Sequence, residues 1–221
     1  MNYEQARFNM IEQQIRPWEV LDSQVLGLLA LIKREDFVPT AYKALAFADM
    51  EIPLASPQQV GQCMLSPKVE ARILQDLALQ KHETVLEIGT GSGYMATLLG
   101  HCAQHVTSLE IDAALAQTAR GNLQKAGIYN ADVRTANGAD LHLLQGPFDA
   151  IVLSGSVAEV PAGLLELLKV GGRLSAVVGH EPVMRATLIT RVGQAAWHTT
   201  QAWDTVAPRL QGFPEPSKFS F

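Results

Sequence analysis

Cysteine is scarce in this chain. Cys63 and Cys102 are the two in 221 residues, too few for a disulfide framework, so a cross-linked secreted scaffold is excluded and a reducing compartment expected. Positive charge is also short. Seventeen Lys and Arg stand against 22 Asp and Glu, a formal net charge of −5, which gives no general electrostatic reason to bind DNA or RNA. Long apolar runs are missing too, since the longest uncharged one, Val25 to Ile32, falls far short of a membrane span. Near the start, Glu4, Arg7 and Glu12 stand where a signal peptide needs an apolar core. No internal repeat, low-complexity tract or interdomain linker is evident. The expectation is a soluble cytoplasmic protein with neither nucleic-acid nor membrane partners.

What is present suits a sizeable core: 48% of residues are hydrophobic and 18% charged, enough for one α/β domain with additions. Phe8, Ile11 and Ile15 fall on one helical face within residues 3–16, and Pro17 should end that helix. Asp22 or Ser23 can cap a second helix carrying Val25, Leu28, Leu29 and Ile32. Residues 34–67 are rich in Pro and turn formers, long for a connection inside a compact domain, and such loops are often functional. Ser66-Pro67 reads as the start of a helix running to about Leu79. Strands are predicted at 84–88, 106–111, 131–135, 149–154 and 173–178, with helices at 93–101, 113–126 and 160–169. Short apolar strands alternating with helices predict a parallel sheet covered on both faces. Residues 184–192 and 195–203, linked by Gly193-Gln194, read instead as an antiparallel hairpin.

The strongest chemical signal is VLEIGTGSGY, residues 85–94. An apolar strand runs into Gly89, Gly91 and Gly93, where a backbone without Cβ can turn sharply and approach a ligand. The spacing is G-x-G-x-G, and Tyr94 stands where a dinucleotide fingerprint wants its third glycine. Glu110, about 20 positions on, can accept hydrogen bonds from both ribose hydroxyls of an adenosine ligand, with Asp112 a competitor. Glu87 would repel a pyrophosphate but attract the ammonium and sulfonium of S-adenosyl-L-methionine. These features favour a methyltransferase over a dehydrogenase. His101, Cys102 and His105 carry zinc-ligand chemistry, but read as a helix end, and no metal is expected. Cys63 reads as a buried loop thiol with no evident His partner. Trp197, Trp203 and Phe148 read as packing residues rather than a stacking platform for bases.

From about Arg7 to Gly179 the chain resembles the protein-L-isoaspartate O-methyltransferases, a class I S-adenosylmethionine-dependent family. REDFVP (34–39), Ala41-Tyr42, Gly61-Gln62, VLEIGTGSGY, PFDAIV (147–152) and LLKVGGRL carry the likeness; the tail VAPRLQGFPEPSKFSF matches less well. The resemblance implies a Rossmann-like, doubly wound, mostly parallel seven-stranded sheet with a C-terminal antiparallel hairpin. It divides one structural unit into a helical extension and substrate loop (1–66) and a cofactor-binding domain (67–221). It implies that Glu87, Ile88, Gly89, Thr90, Gly91 and Gly93 surround the methionine part of S-adenosyl-L-methionine. By the same likeness Glu110 and Ile111 hold the ribose, and Asn137 and Gly138 lie near the adenine. Asn137 replaces the family's aspartate, and its side-chain oxygen can still accept from the adenine amine.

The substrate loop departs further. The family's Gly-Gln-Thr-Ile-Ser reads Gly61-Gln62-Cys63-Met64-Leu65 here, with Leu65 at the position of a serine implicated in handling the substrate carboxylate. Ser66, one residue late, is the candidate hydroxyl and also the candidate N-cap; Ser154 and Ser156 are further hydroxyls. An acceptor carboxylate is ionised at pH 7 and needs no general base, which fits the lack of a catalytic His or Lys motif. The implied activity is O-methylation of L-isoaspartyl residues during protein repair, with damaged protein or peptide as partner. Two alternatives stand: a same-fold enzyme with another acceptor, or a cofactor-binding protein that no longer transfers methyl groups.

Overall fold

The computed structural model describes residues 2–54 and 61–215, so part of the turn-rich stretch and the end of the tail lie outside the described residues. Helix α1 (Tyr3–Met10) passes into a wide π turn at Ile11–Ile15 and a 3₁₀ turn at Arg16–Trp18. The chain therefore stays helical through Pro17, which sits in the first turn of the 3₁₀ segment, where its missing N–H costs nothing. The π turn shifts the helical phase, so Met10, Ile11 and Ile15 are buried while Phe8, expected on that face, is 58% exposed. Arg7 is buried in its place, 2.5 Å from Glu35.

Helix α2 (Ser23–Leu31) is capped by Asp22, whose carboxylate accepts from the N–H groups of Gln24 and Val25. Two 3₁₀ turns, Arg34–Asp36 and Thr40–Leu45, then precede the two-residue strands β1 (Ile52–Pro53) and β2 (Cys63–Met64), which pair antiparallel. Helix α3 (Pro67–Leu77) follows Ser66. From there β3 (Thr84–Ile88), α4 (Tyr94–Cys102), β4 (His105–Glu110), α5 (Ala113–Lys125) and β5 (Ala131–Thr135) alternate as predicted.

Beyond them lie β6 (Phe148–Val157), a short α6 (Ala162–Glu166), β7 (Leu168–His180), β8 (Val183–Gly193) and β9 (Ala196–Thr205). The helix expected to reach residue 169 is cut short because Leu168 already pairs with Phe148 across a bulged β6–β7 ladder. The hairpin turn is Gln194-Ala195, one residue later than predicted, because Gly193 still pairs with Ala196.

The seven strands run in the order β5-β4-β3-β6-β7-β8-β9. The first five are mutually parallel, and β8 and β9 add an antiparallel meander at one edge. Successive residues point to opposite faces, and both faces are covered. Val85, Ala150, Val152 and Val177 pack with the N-terminal helices, α3 and α4, whereas Leu86, Ile151, Leu153 and Leu174 pack on the other side with Leu164 of α6. Full burial stabilises each larger side chain by about 1.5–3 kcal/mol. Trp203 and Trp197 anchor β9 through indole hydrogen bonds to Asp76 and the Leu165 carbonyl, and Phe148 is buried in the second cluster. Among the described residues no helix is long and apolar enough to cross a membrane.

Candidate active site

The strand order reverses between β3 and β6, the place where open α/β sheets bind ligands outside their carboxyl ends. A cleft of about 600 Å³, counting space open to solvent, lies there. Ile88, Gly89, Gly91, Glu110, Ile111 and Gly138 line it, with Gly61, Gln62 and Cys63 facing them. The predicted residues of the glycine turn, the second strand end and the substrate loop thus meet at one opening.

The turn exists because β3 is buried up to Ile88 and must reverse at once into α4. Gly89 adopts φ +95°, and a Cβ there would lie 2.8 Å from the Leu210 side chain and 3.4 Å from the Ser154 carbonyl oxygen. Its N–H donates to the Leu109 carbonyl, tying the turn to β4. Glu110 completes the rim. Its carboxylate accepts from the Gly91 N–H at 2.8 Å and the Asp112 N–H at 3.0 Å, and lone pairs remain for further donors. Asp112 is occupied as N-cap of α5 and also accepts from the Gln62 amide at 3.3 Å, a tie between the two walls.

Gly93 is placed differently from expectation. It caps α4 at φ +84°, and a Cβ would come within 2.6 Å of Leu123 and 3.3 Å of Ala119. Its smallness serves packing of α4 on α5, not the cleft. Thr90 is likewise buried, its hydroxyl 2.6 Å from that of Ser108. Glu87 lies behind the turn and is fully buried. It accepts from Ser108 at 2.6 Å and Ser154 at 2.9 Å. Burial pushes its carboxyl up to about 8 against the pull of those hydroxyls, with the charges of Glu110 and Glu70 adding to the rise. Burial thus favours its protonated form, and it sits within a hydroxyl network behind the turn, whereas the sequence suggested a carboxylate that attracts a positively charged group. Asn137 does not line the cleft: its side-chain oxygen accepts from the Ala139 N–H at 3.0 Å, and Gly212 of the tail packs against it.

On the facing wall, the Cys63 thiol points at Glu51, 3.7 Å away, and burial with that carboxylate pushes it up to about 12. It is no nucleophile. Leu65 is buried and lines a small recess behind the turn with Tyr94 and Ser154. Ser66 occupies the N-cap position through its carbonyl, which accepts from the Val69 and Glu70 N–H groups, while its hydroxyl makes no cap bond. That side chain does not line the cleft. Ser156 is wholly buried with its hydroxyl unpartnered, and Ser154 lines the cleft but donates to Glu87.

Two buried groups under this wall, Arg34 and Glu70, escaped the sequence reading. Arg34, fully buried, donates to the Ala46 carbonyl at 3.0 Å and the Leu65 carbonyl at 2.7 Å, pairs with Glu70, and stacks 4.9 Å from the Tyr94 ring centre. Burial pushes Glu70 up to about 7, with Arg34 pulling it back down. Arg209, Leu210 and Gln211 of the tail were also missed as cleft residues. The unusual REDFVP run pointed at Arg34; nothing in the local pattern marked the tail. His101 and Cys102 end α4 while His105 begins β4, and among the described residues no three His, Cys, Asp or Glu side chains gather to hold a metal.

The family model for protein-L-isoaspartate(D-aspartate) O-methyltransferase matches residues 5–205. A protein-L-isoaspartate O-methyltransferase of Rhodopseudomonas palustris is 37% identical over 94% of this chain and 96% of its own length. One from Syntrophobacter fumaroxidans is 36% identical over 90% and 91%. Two solved structures share the fold. A Plasmodium falciparum β-aspartate methyltransferase in complex with S-adenosyl-L-homocysteine superposes with a TM-score of 0.77 at 19% identity, covering 96% of this chain and 99% of that one. A second protein-L-isoaspartate O-methyltransferase gives 0.79 at 21% identity, over 95% of this chain and 66% of the other.

Proposed function

The chain belongs to the protein-L-isoaspartate(D-aspartate) O-methyltransferase family, and from that premise we propose that it methylates the carboxylate of L-isoaspartyl residues in damaged proteins, with S-adenosyl-L-methionine as donor. The observation that carries the reading is the cleft itself. Glu110 stands on the rim beside the open backbone of Gly89 and Gly91, directly facing the Gly61–Cys63 wall. The cradle suits an adenosyl group, since a carboxylate held by two backbone N–H groups can still accept from two ribose hydroxyls.

In this reading the donor supplies a methyl group on a positively charged sulfur. The protein's part is positioning. Ile88 to Gly91 bring backbone close to the donor, Glu110 and Ile111 hold its ribose, and Gly138 leaves room beside Ile88. Asn137, one step behind the cleft, shapes the adenine end rather than reaching into it. Residues 1–66 contribute the Gly61–Cys63 side of the acceptor wall and residues 67–221 the donor-binding part of one unit, with Arg209–Gln211 of the tail completing the acceptor wall. The acceptor carboxylate is ionised at neutral pH, so no residue has to remove a proton. Holding nucleophile, methyl and leaving sulfur in line is worth several kcal/mol. Ser66, which does not line the cleft, has no direct role in this account.

Cytoplasmic proteins are the natural substrates for a chain with two free thiols. One feature favours a second reading, a different acceptor: Leu65 and the inert Cys63 leave residues 61–65 without a hydroxyl, and Ser66 does not line the cleft. The deciding experiment is transfer of labelled methyl to an isoaspartyl peptide, with its aspartyl isomer as control. Base-labile label on the isoaspartyl peptide alone supports the proposal. No label on either, from protein that binds S-adenosyl-L-homocysteine, rejects it.

A further inference from the structure

Arg209 is the one cationic side chain among the described residues that line the cleft. The backbone holds it there. Arg209 bridges in parallel to Ser156 at the end of β6, where the Ser156 N–H donates to the Pro208 carbonyl at 2.7 Å and the Leu210 N–H donates to the Ser156 carbonyl at 2.9 Å. The neighbouring Leu210 side chain packs on Gly89 and Gly155, so this short strand lies across the mouth of the glycine turn. Two edges of the guanidinium are engaged: Nη2 donates to the Gly179 carbonyl at 2.9 Å, and Nε lies 2.7 Å from Glu215. The third is not. Nη1 is shielded from solvent and has no hydrogen-bond partner among the described residues.

A buried charged donor left unpaired is costly, and a carboxylate is the ligand whose geometry a guanidinium matches best. Among the other side chains around the opening, Gln62 donates to Asp112, Ser154 to Glu87 and the Cys63 thiol to Glu51, Leu65 has no donor, and Gln211 offers only a neutral amide, a weaker partner for a carboxylate than a guanidinium.

We propose that Arg209 receives the acceptor carboxylate at its guanidinium, Nη1 turning toward the cleft to meet it, and thereby makes a free carboxylate the requirement for an acceptor. The assignment rests on the methyltransferase reading above and deepens it. One carboxylate oxygen is held and the other is left to attack: a C–O bond forms to the methyl carbon, the S–C bond breaks with its electron pair staying on sulfur, and no proton moves.

The test titrates the S-adenosyl-L-homocysteine-loaded protein with two peptides, one isoaspartyl and one whose free carboxylate is replaced by an amide. Wild type should bind the acid about tenfold more tightly or better, the worth of one charge-assisted hydrogen bond. Arg209→Met should lose that preference by weakening the acid peptide alone, with KM rising more than kcat falls and nucleoside affinity unchanged. Arg209→Lys, a point charge without the fork, should fall between. Full preference retained in Arg209→Met overturns the assignment, as does an equal loss of nucleoside affinity, which would give the guanidinium to the donor. If the methionine variant does not fold, unchanged acid-peptide affinity in Arg209→Lys overturns it. A wild type that binds the nucleoside but neither peptide rejects the acceptor reading itself, and this assignment with it.

Discussion

On one wall of the cleft, the glycine turn and Glu110 are neighbours along a parallel β3–β4 ladder, joined by hydrogen bonds from the Gly89 N–H to the Leu109 carbonyl and from the Gly91 N–H to the Glu110 carboxylate. The other wall gathers Gly61–Leu65 and Arg209–Gln211 from opposite ends of the chain, held by a buried arginine on one side and a single bridge to Ser156 on the other. The first wall is built between adjacent strands and the turn that joins them. The second depends on a few contacts between segments distant in sequence, among which the Arg34 clamp is one that a single substitution can remove. A cleft built this way can keep its donor site while its acceptor side diverges.

The sharpest way to break the comparison is Arg34→Leu, which strips Glu70 of its cation and frees the Ala46 and Leu65 carbonyls. Breaking a buried pair from one side costs about 3–5 kcal/mol, read by urea unfolding, and the acceptor wall should fail before the donor wall. A loss below about 1 kcal/mol, the worth of an ordinary hydrogen bond, would show that the clamp is not what holds the loop.

Next in size is a pH effect. Glu87 is raised to about 8 and Glu70 to about 7 in the folded chain, against an ordinary value of 4.5. The native state then binds more protons than the unfolded state, so stability falls as pH rises from about 4.5 through 8, by up to about 1.4 kcal/mol per pH unit for each group. Glu83, Asp149 and Asp112 are lowered and act oppositely, losing stability as pH falls through the acid range. Glu87→Gln, which mimics the protonated carboxyl, isolates one contribution: the melting temperature of the variant relative to wild type should climb between pH 5 and 8. A constant difference would mean that Glu87 is ionised.

Glu110→Ala tests the donor wall directly. Cofactor affinity should drop at least about tenfold, or 1.4 kcal/mol, and calorimetry showing unchanged affinity would remove Glu110 from the site. Smallest is Leu65→Ser, which returns a hydroxyl to the acceptor wall. One added hydrogen bond is worth about 0.5–1.5 kcal/mol, so isoaspartyl methylation should rise about two- to tenfold. No gain in a folded, cofactor-binding variant would mean that another donor already orients the carboxylate.

The alternating strands from Thr84 onward were legible because each is short, apolar and flanked by a helix with the right period. Gly89, Gly91 and Glu110 were legible for the same reason, since their spacing follows from one strand, one turn and the next strand end. Phe8 misled because a π turn downstream changed the helical phase, which no periodicity in α1 announces. Glu87 kept its place in the motif, but burial raises its pKa, because whether a carboxylate ionises depends on what surrounds it rather than on its neighbours in sequence. Gly93 needs its smallness for a different partner, the face of α5.

The composition and the order of elements therefore determined a doubly wound sheet with a glycine turn at its switch point, since periodicity and turn chemistry are properties of consecutive residues. Tertiary structure alone decided that Arg34 lies buried beneath Leu65, that Glu87 is buried behind the turn with its pKa raised, and that the tail lays Arg209 and Leu210 across the cleft. Those outcomes depend on desolvation and on contacts between distant segments, which exist only once the chain has closed on itself.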